Sequence, residues 1–358
     1  MDSPRRHLVV EVPSIRQPIT KSPGFAKKEL STWKLDLMAL CGFGCSYCSS
    51  NTGNYLRINR EKFADATEEQ LGERIYPSDE PDLAMVWPDV LEKIERQIAS
   101  HKPGWGGGET LVFSMLTDAF SGPPLRAGTT EKALRMLLNG TSFRIRVLTK
   151  NSVVGTSQKW RDLFFEHRDR VVVGLSTGSL DSDWARRVEI GCPPPTARIE
   201  ATRRLQGAAV PTFGMLCPIF PDVLAGDSLD LLIDGIRPEL CETVWAEPYN
   251  DRSNWQKVRA GYELGSPGFR WFTDVYEHGG RSEWSRYATD LYLRLREKAL
   301  AEGWMSKLRY LLYENDITVE DARRFPNLSG VLLQSPTRND GTSLHPIFGE
   351  MQRASAAG

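Results

Sequence analysis

The chain has 358 residues, 40% hydrophobic and 25% charged, with a net charge of −1 and a sequence pI near 6.6. That is ordinary globular composition with ample length for a large core in one or two domains, and it excludes a globally basic surface for nucleic acid. No uninterrupted apolar run approaches the ~18 residues of a membrane span, and the polar start from Met1 to His7 lacks the apolar stretch of a signal peptide. A cytoplasmic protein with no membrane partner is expected.

In chain order, Pro13, Pro18 and Pro23 among charges suggest an irregular lead-in over residues 1–32. Trp33 to Leu40 reads as one buried strand running into Cys41, followed by a polar loop from Ser49 to about Pro81. Val86, Val90, Leu91, Ile94 and Ile98 then repeat at helical spacing. Strands are expected at Leu111–Leu116, Phe143–Leu148, Val171–Ser176, Thr212–Leu216 and Thr243–Ala246. Helices are expected near Thr130–Leu138, Gln158–His167, Thr196–Gln206 and Leu229–Ile236. Six such alternations predict an α/β fold: a partial (βα)6 TIM-type barrel of parallel strands over residues 33–250.

Residues 251–351 form an appended C-terminal helical region in this reading. Trp284, Tyr287, Leu291, Tyr292, Leu295 and Ala299 mark a long amphipathic helix, and Trp304–Tyr313 reads as a strand or helix. Residues 352–358 are expected to be a disordered tail. Residues 281–310 carry seven Lys/Arg and four Asp/Glu, a net of +3, with interleaved aromatics. Such a stretch can bind a nucleic-acid strand, but helical periodicity assigns the aromatics to packing.

Six cysteines in so long a chain do not make a disulfide framework. Three of them, Cys41-x3-Cys45-x2-Cys48, crowd into eight residues at the end of the first expected barrel strand. Thiolates are the usual ligands of iron–sulfur clusters, and three ligands leave one iron of a [4Fe–4S] cluster open. The competing reading is zinc, which wants four protein ligands. Cys192, Cys217 or His101 would have to complete such a site through a tertiary contact. Gly42 and Gly44 permit unusual backbone angles in the loop.

From about Trp33 to Asn250 the sequence resembles the spore-photoproduct-lyase-like branch of the radical-SAM superfamily, whose members are described as DNA-repair photolyase-like. The resemblance rests on the cysteine triplet and on four later segments in order. These are Leu116-Thr117-Asp118, Leu148-Thr149-Lys150-Asn151, Leu175-Ser176-Thr177 with Arg186-Arg187-Val188-Glu189, and Cys217-Pro218-Ile219-Phe220-Pro221. Each is placed at the C-terminal end of a strand, the rim that carries chemistry in parallel α/β folds.

The resemblance implies a [4Fe–4S] cluster on Cys41, Cys45 and Cys48 and reductive cleavage of S-adenosylmethionine (SAM). The resulting 5′-deoxyadenosyl radical takes hydrogen from a substrate, either a small molecule or nucleic acid. A flavodoxin or ferredoxin would supply the electron. By the same resemblance Tyr47 packs beside the adenine, Thr117 and Asp118 sit where the SAM amino group is held, Lys150 pairs with its carboxylate, and Ser176 also contacts SAM.

Glu247 and Asn250, just past the sixth strand, are candidate SAM-ribose or substrate contacts. Glu189 and Arg198 suggest a structural pair. Cys217 and Cys192 are the candidate hydrogen donors, and Cys241 is placed at the far rim. The sequence departs from the lyase in having Met115 where that enzyme has its cysteine donor, which argues against repair of the spore photoproduct by the same route. With no cysteine after Cys241, it also lacks the auxiliary clusters of peptide-modifying relatives. Gly107-Gly108-Glu109 resembles a SAM-binding motif but precedes its strand, so it is assigned to a turn at the opposite rim. A lyase for damaged nucleobases and a metal-stabilised binding protein without SAM turnover are the alternatives.

Overall fold

A computed structural model describes residues 7–13, 15–251 and 253–357. Five strands precede the regular alternation: β1 (Leu8–Glu11), β2 (Ile19–Lys21), β3 (Trp33–Leu35), β4 (Met38–Cys41) and β5 (Leu83–Val86). They are followed by β6 (Thr110–Phe113), β7 (Arg144–Thr149), β8 (Val171–Leu175), β9 (Thr212–Ile219), β10 (Cys241–Pro248), β11 (Leu308–Leu312) and β12 (Val331–Leu333). The main sheet has the order β12-β11-β10-β9-β8-β7-β6-β3-β2. All its neighbours are parallel except the β2–β3 edge pair.

The sheet curls into a partial barrel. Val112, Leu148, Val172, Phe213, Met215, Trp245 and Leu311, from six successive strands, meet in one buried cluster. Side chains from so many adjacent strands converge only on the concave face of a curved sheet. Outside it, helices Thr129–Gly140, Gln158–Glu166, Pro195–Gly207 and Ser228–Ile236 lie close to their expected places. They bury apolar residues such as Leu134, Phe164, Leu205 and Leu232. The α/β parallel architecture expected from the alternating pattern is therefore present.

Four expectations need correction. First, Trp33 to Leu40 is two strands, interrupted at Asp36 and Leu37. β3 pairs with β6, whereas β4 joins a separate sheet of order β1-β5-β4. Second, the supposed loop after Ser49 contains an 18-residue helix, Asn54–Leu71. Among the described residues it buries Leu56, Phe63, Ala64 and Thr67, a stripe too sparse to stand out among charges.

Third, the lead-in is ordered from residue 7 onward, with residue 14 outside the described residues. It carries two strands and the short helix Pro23–Lys27. Phe25 and Leu30 pack into the barrel cluster. The Trp245 indole N–H donates to the Lys28 carbonyl at 2.9 Å, and Arg146 donates to the Leu30 carbonyl. Lys27 Nζ donates to the carbonyls of Gln334 and Ser335 at 3.0 and 2.7 Å. The lead-in thus fills the barrel lumen.

Fourth, residues 251–351 are not purely helical, since β11 and β12 extend the parallel sheet. The tail from Gln352 continues the helix Pro346–Ala357, while residue 358 lies outside the described residues. The amphipathic helix spans Arg281–Ala301 and buries Trp284, Tyr287, Leu291, Tyr292, Leu295 and Ala299. Several cations of the 281–310 stretch are paired: Arg281 with Asp316, Arg294 with Asp230, Lys298 with Asp234, and Arg309 with Glu29. No helix among the described residues is long and apolar enough to cross a membrane.

Candidate active site

β4 delivers Cys41 to the barrel rim, and the next seven residues wrap back on themselves. Gly42 and Gly44 take φ of 73° and 61°. A Cβ at Gly44 would fall 2.5 Å from Pro81 Cβ, so neither space nor backbone angle admits a side chain. The loop is pinned to the segment after the helix Ser182–Val188. Ser46 N–H donates to the Val188 carbonyl and Gly191 N–H to the Phe43 carbonyl, both at 2.8 Å, with Cys45 and Glu189 bridged between them.

All three thiols of the loop are free. Burial and the nearby Cys48 push the Cys41 thiol well up from its ordinary value, and burial and Cys45 raise that of Cys48. Three thiolates in one pocket would therefore repel each other unless a cationic centre neutralised them. Together with Cys41, Cys45 and Cys48 facing one cavity, that donor chemistry fits an iron–sulfur cluster. Among the described residues no three His, Cys, Asp or Glu side chains are placed to hold a single metal ion. A cluster differs, since each thiolate binds its own iron.

The cavity measures about 290 Å³, near the lower end for small-molecule sites. Its lining includes Tyr47, Thr117, Asp118, Lys150, Ser176, Cys217, Glu247 and Asn250 beside the three cysteines. Every expected site residue except Cys192 is therefore on one wall or another of a single space. Cys192 lies behind Cys45, with its sulfur 3.4 Å from the Cys45 sulfur. Cys241 begins β10 at the opposite rim, beside Thr212 and the Ile236 carbonyl. Glu109 likewise precedes β6, where Gly107-Gly108-Glu109 forms the turn assigned to it.

Glu189 is the electrostatic hub. It is 3% exposed and is paired with Arg198, itself 1% exposed, and it also accepts from the Tyr47 hydroxyl. Lys150 Nζ lies 3.7 Å from it, donates to Ser176 Oγ at 2.5 Å, and sits 5.5 Å from the centre of the Tyr47 ring. Burial disfavours the Glu189 carboxylate, but the Arg198 and Lys150 charges and the hydrogen bonds outweigh it and hold the group below the usual glutamate range. Arg198 further donates to the carbonyls of Ser176 and Pro193, at 3.0 and 2.9 Å. The expected pair is thus a clasp joining three loops.

Asp118 serves the rim itself. Its carboxylate accepts from Thr149 Oγ1 at 2.8 Å, Lys150 N–H at 2.7 Å and Phe120 N–H at 2.9 Å, fixing the turns after β6 and β7. Glu247 accepts from Lys28 Nζ at 3.3 Å and the Tyr313 hydroxyl at 3.0 Å. Lys28 reaches the cavity from the lead-in, which sequence reasoning treated as irregular.

Asp36 is the residue that sequence reasoning missed most clearly. One of its carboxylate oxygens accepts from the N–H groups of Met115, Leu116 and Thr117 and from the Thr117 hydroxyl, at 3.0–3.1 Å. The signal was a lone acid inside the apolar run WKLDLMAL. Asp36→Ala would strand three N–H groups, each costing about 1–3 kcal/mol when buried without a partner. Urea denaturation should show a loss of roughly 3 kcal/mol or more for Asp36→Ala and a much smaller one for Asp36→Asn, which keeps an acceptor oxygen. Equal losses would mean the negative charge, not the acceptor, is what matters.

Fold and site together define a parallel α/β barrel protein with a thiol-rich pocket at the C-terminal rim of its strands. No family model matches the chain. It is 24% identical over 286 residues to the uncharacterized protein ORF301 of Acidianus two-tailed virus, covering 73% of this chain and 87% of that one. Among solved structures, a mutant spore photoproduct lyase overlaps with TM-score 0.46 at 15% identity, over 71% of this chain and 66% of its own. A polyhistidine-tagged anSMEcpe with bound AdoMet overlaps with TM-score 0.41 at 10% identity, over 76% of this chain and 59% of its own. The chain thus spans just under two thirds of the lyase it matches. Overlaps this loose assign no chemistry, and the function has to be argued from the site.

Proposed function

We propose that the chain is a radical-SAM enzyme. The observation that carries this reading is the convergence of Cys41, Cys45 and Cys48 with Lys150, Ser176 and Cys217 on one cavity, from segments far apart in the chain. The three cysteines would hold a [4Fe–4S] cluster, which when bound and reduced would supply the electron for reductive cleavage of SAM.

The chain's own residues do the rest. Lys150 is a cation at the rim, oriented by Ser176 and Glu189, and a carboxylate ligand would find it already positioned. Tyr47 is clamped through its hydroxyl, leaving its ring to pack against a planar group. Apolar Phe43, Leu148 and Met215 in the lining limit water at the reacting centre. Burial and the charge of Glu247 push the Cys217 thiol well above its ordinary value, so it stays S–H at neutral pH. S–H is the form that donates a hydrogen atom. Cys217 lines the cavity and Cys192 does not, so Cys217 is the donor we favour.

The reading is tested by anaerobic reconstitution with iron and sulfide, reduction with dithionite in the presence of SAM, and chromatography for 5′-deoxyadenosine. Formation of that product supports it. A protein that takes up zinc but neither iron nor sulfide overturns it. Within the same assay, Lys150→Met should raise the SAM concentration needed for half-maximal product about 10–100-fold, the range for losing a charged hydrogen bond. An unchanged SAM requirement would show that the SAM carboxylate is held elsewhere.

A further inference from the structure

We propose that Cys45 and Cys192 form a reversible disulfide when the cysteine loop carries no metal, making Cys192 a redox guard of the candidate cluster site. The bond itself needs only the geometry, whereas its regulatory meaning rests on the function proposed above.

The two sulfurs lie 3.4 Å apart. A disulfide needs about 2.05 Å, so side-chain rotation has only a little over an ångström to close. The backbones are already held in place for it. Gly191 N–H donates to the Phe43 carbonyl, Cys192 N–H to the Glu189 carbonyl at 2.9 Å, and Ser46 N–H to the Val188 carbonyl. Cys45 and Glu189 form an isolated antiparallel bridge, which sets the loop bearing Cys45 alongside the segment bearing Cys192. Cys45 is 6% exposed and Cys192 is half-buried. Cys192 stands outside the cavity lining, so the bond forms behind the pocket.

The chemistry is a two-electron oxidation by a peroxide. Each S–H bond breaks, one S–S bond forms, and hydrogen peroxide takes the two electrons and two protons to become two waters. A dithiol reverses it by thiol–disulfide exchange. While the bond exists, Cys45 cannot ligate iron, yet it is protected from irreversible oxidation to sulfinic and sulfonic acids.

The test uses the full chain, freed of metal and reduced, then treated anaerobically with limited hydrogen peroxide. Free thiols are alkylated and tryptic peptides analysed by mass spectrometry. The expected result is a cross-linked peptide pair containing Cys45 and Cys192, absent after dithiothreitol and absent in Cys192→Ser. A bond confined to Cys41, Cys45 and Cys48, with Cys192 fully alkylated, overturns the proposal. Iron uptake gives the second readout. The oxidised wild type should bind at least ~10-fold less iron than its reduced form, and peroxide should leave uptake by Cys192→Ser at a much higher level. Equal uptake by oxidised and reduced wild type removes the guard role. If reduced protein binds no iron at all while the cross-link forms, the radical-SAM reading fails and the disulfide stands.

Discussion

Cys41→Ala should abolish cluster assembly and, with it, 5′-deoxyadenosine formation. Loss of a partner outside the ligand set already weakens metal sites about 10–100-fold, so removal of a ligand should lower product by at least ~100-fold. Cys41 is the better choice than Cys45, because the Cys192 sulfur 3.4 Å from Cys45 is close enough to take its place. Cys41 is buried at the end of β4, with Met38, Phe43 and Cys45 around it. Cys241→Ala is the matched control. Its sulfur is at the other end of the barrel, hydrogen-bonded to the Ile236 carbonyl, and its removal should leave iron and sulfide content unchanged. Metal analysis and visible absorbance of the reconstituted proteins check both. A Cys41→Ala protein that retains full iron and sulfide would exclude the ligand set proposed here.

Arg198→Ala should be strongly destabilising. It leaves the Glu189 carboxylate 3% exposed and without its main partner, and breaking a buried pair costs about 3–5 kcal/mol. Lys150, 3.7 Å away, compensates in part. Because Glu189 also holds the Tyr47 hydroxyl and its backbone bridges Cys45, iron retention should fall together with stability. Arg198→Met combined with Glu189→Leu separates the two effects. Removing both charges should recover much of the stability, while Tyr47 loses its hydroxyl partner, Lys150 keeps only Ser176, and SAM cleavage stays low.

The clasp also predicts an acid response. The Glu189 carboxyl is held below its unfolded value, so its contribution is fully present above the ordinary glutamate range, about 4.3. It is lost as the pH falls through the lowered folded value. Denaturant midpoints measured across that window should drop more for the wild type than for the double variant. Parallel curves would mean that the pair contributes no net stability.

Much of this was legible in the chain. Short apolar strands alternating with amphipathic helices announce a parallel sheet, since only such a sheet buries both strand faces under crossover helices. Three cysteines in eight residues with glycines between them announce a site, since thiols so close repel once ionised and need a centre to bind. The C-terminal ends of strands then locate Thr117, Lys150, Ser176, Cys217 and Glu247 on one rim. Local pattern and spacing carry all of this.

Tertiary structure decided what local pattern cannot encode. Asp36 sits in an apolar run, and only the folded chain shows its oxygen collecting three N–H groups from a turn about eighty residues later. Phe25 and Leu30 look like loop residues until the curved sheet offers them a lumen. Cys192 is a lone cysteine in sequence, and only the bridge between Cys45 and Glu189 brings its sulfur against Cys45. The physical reason is common to all three. Periodicity reports which face of an element is buried, whereas hydrogen-bond acceptors, lumen fillers and sulfur pairs depend on which distant segment arrives opposite, and that is settled by chain path and packing.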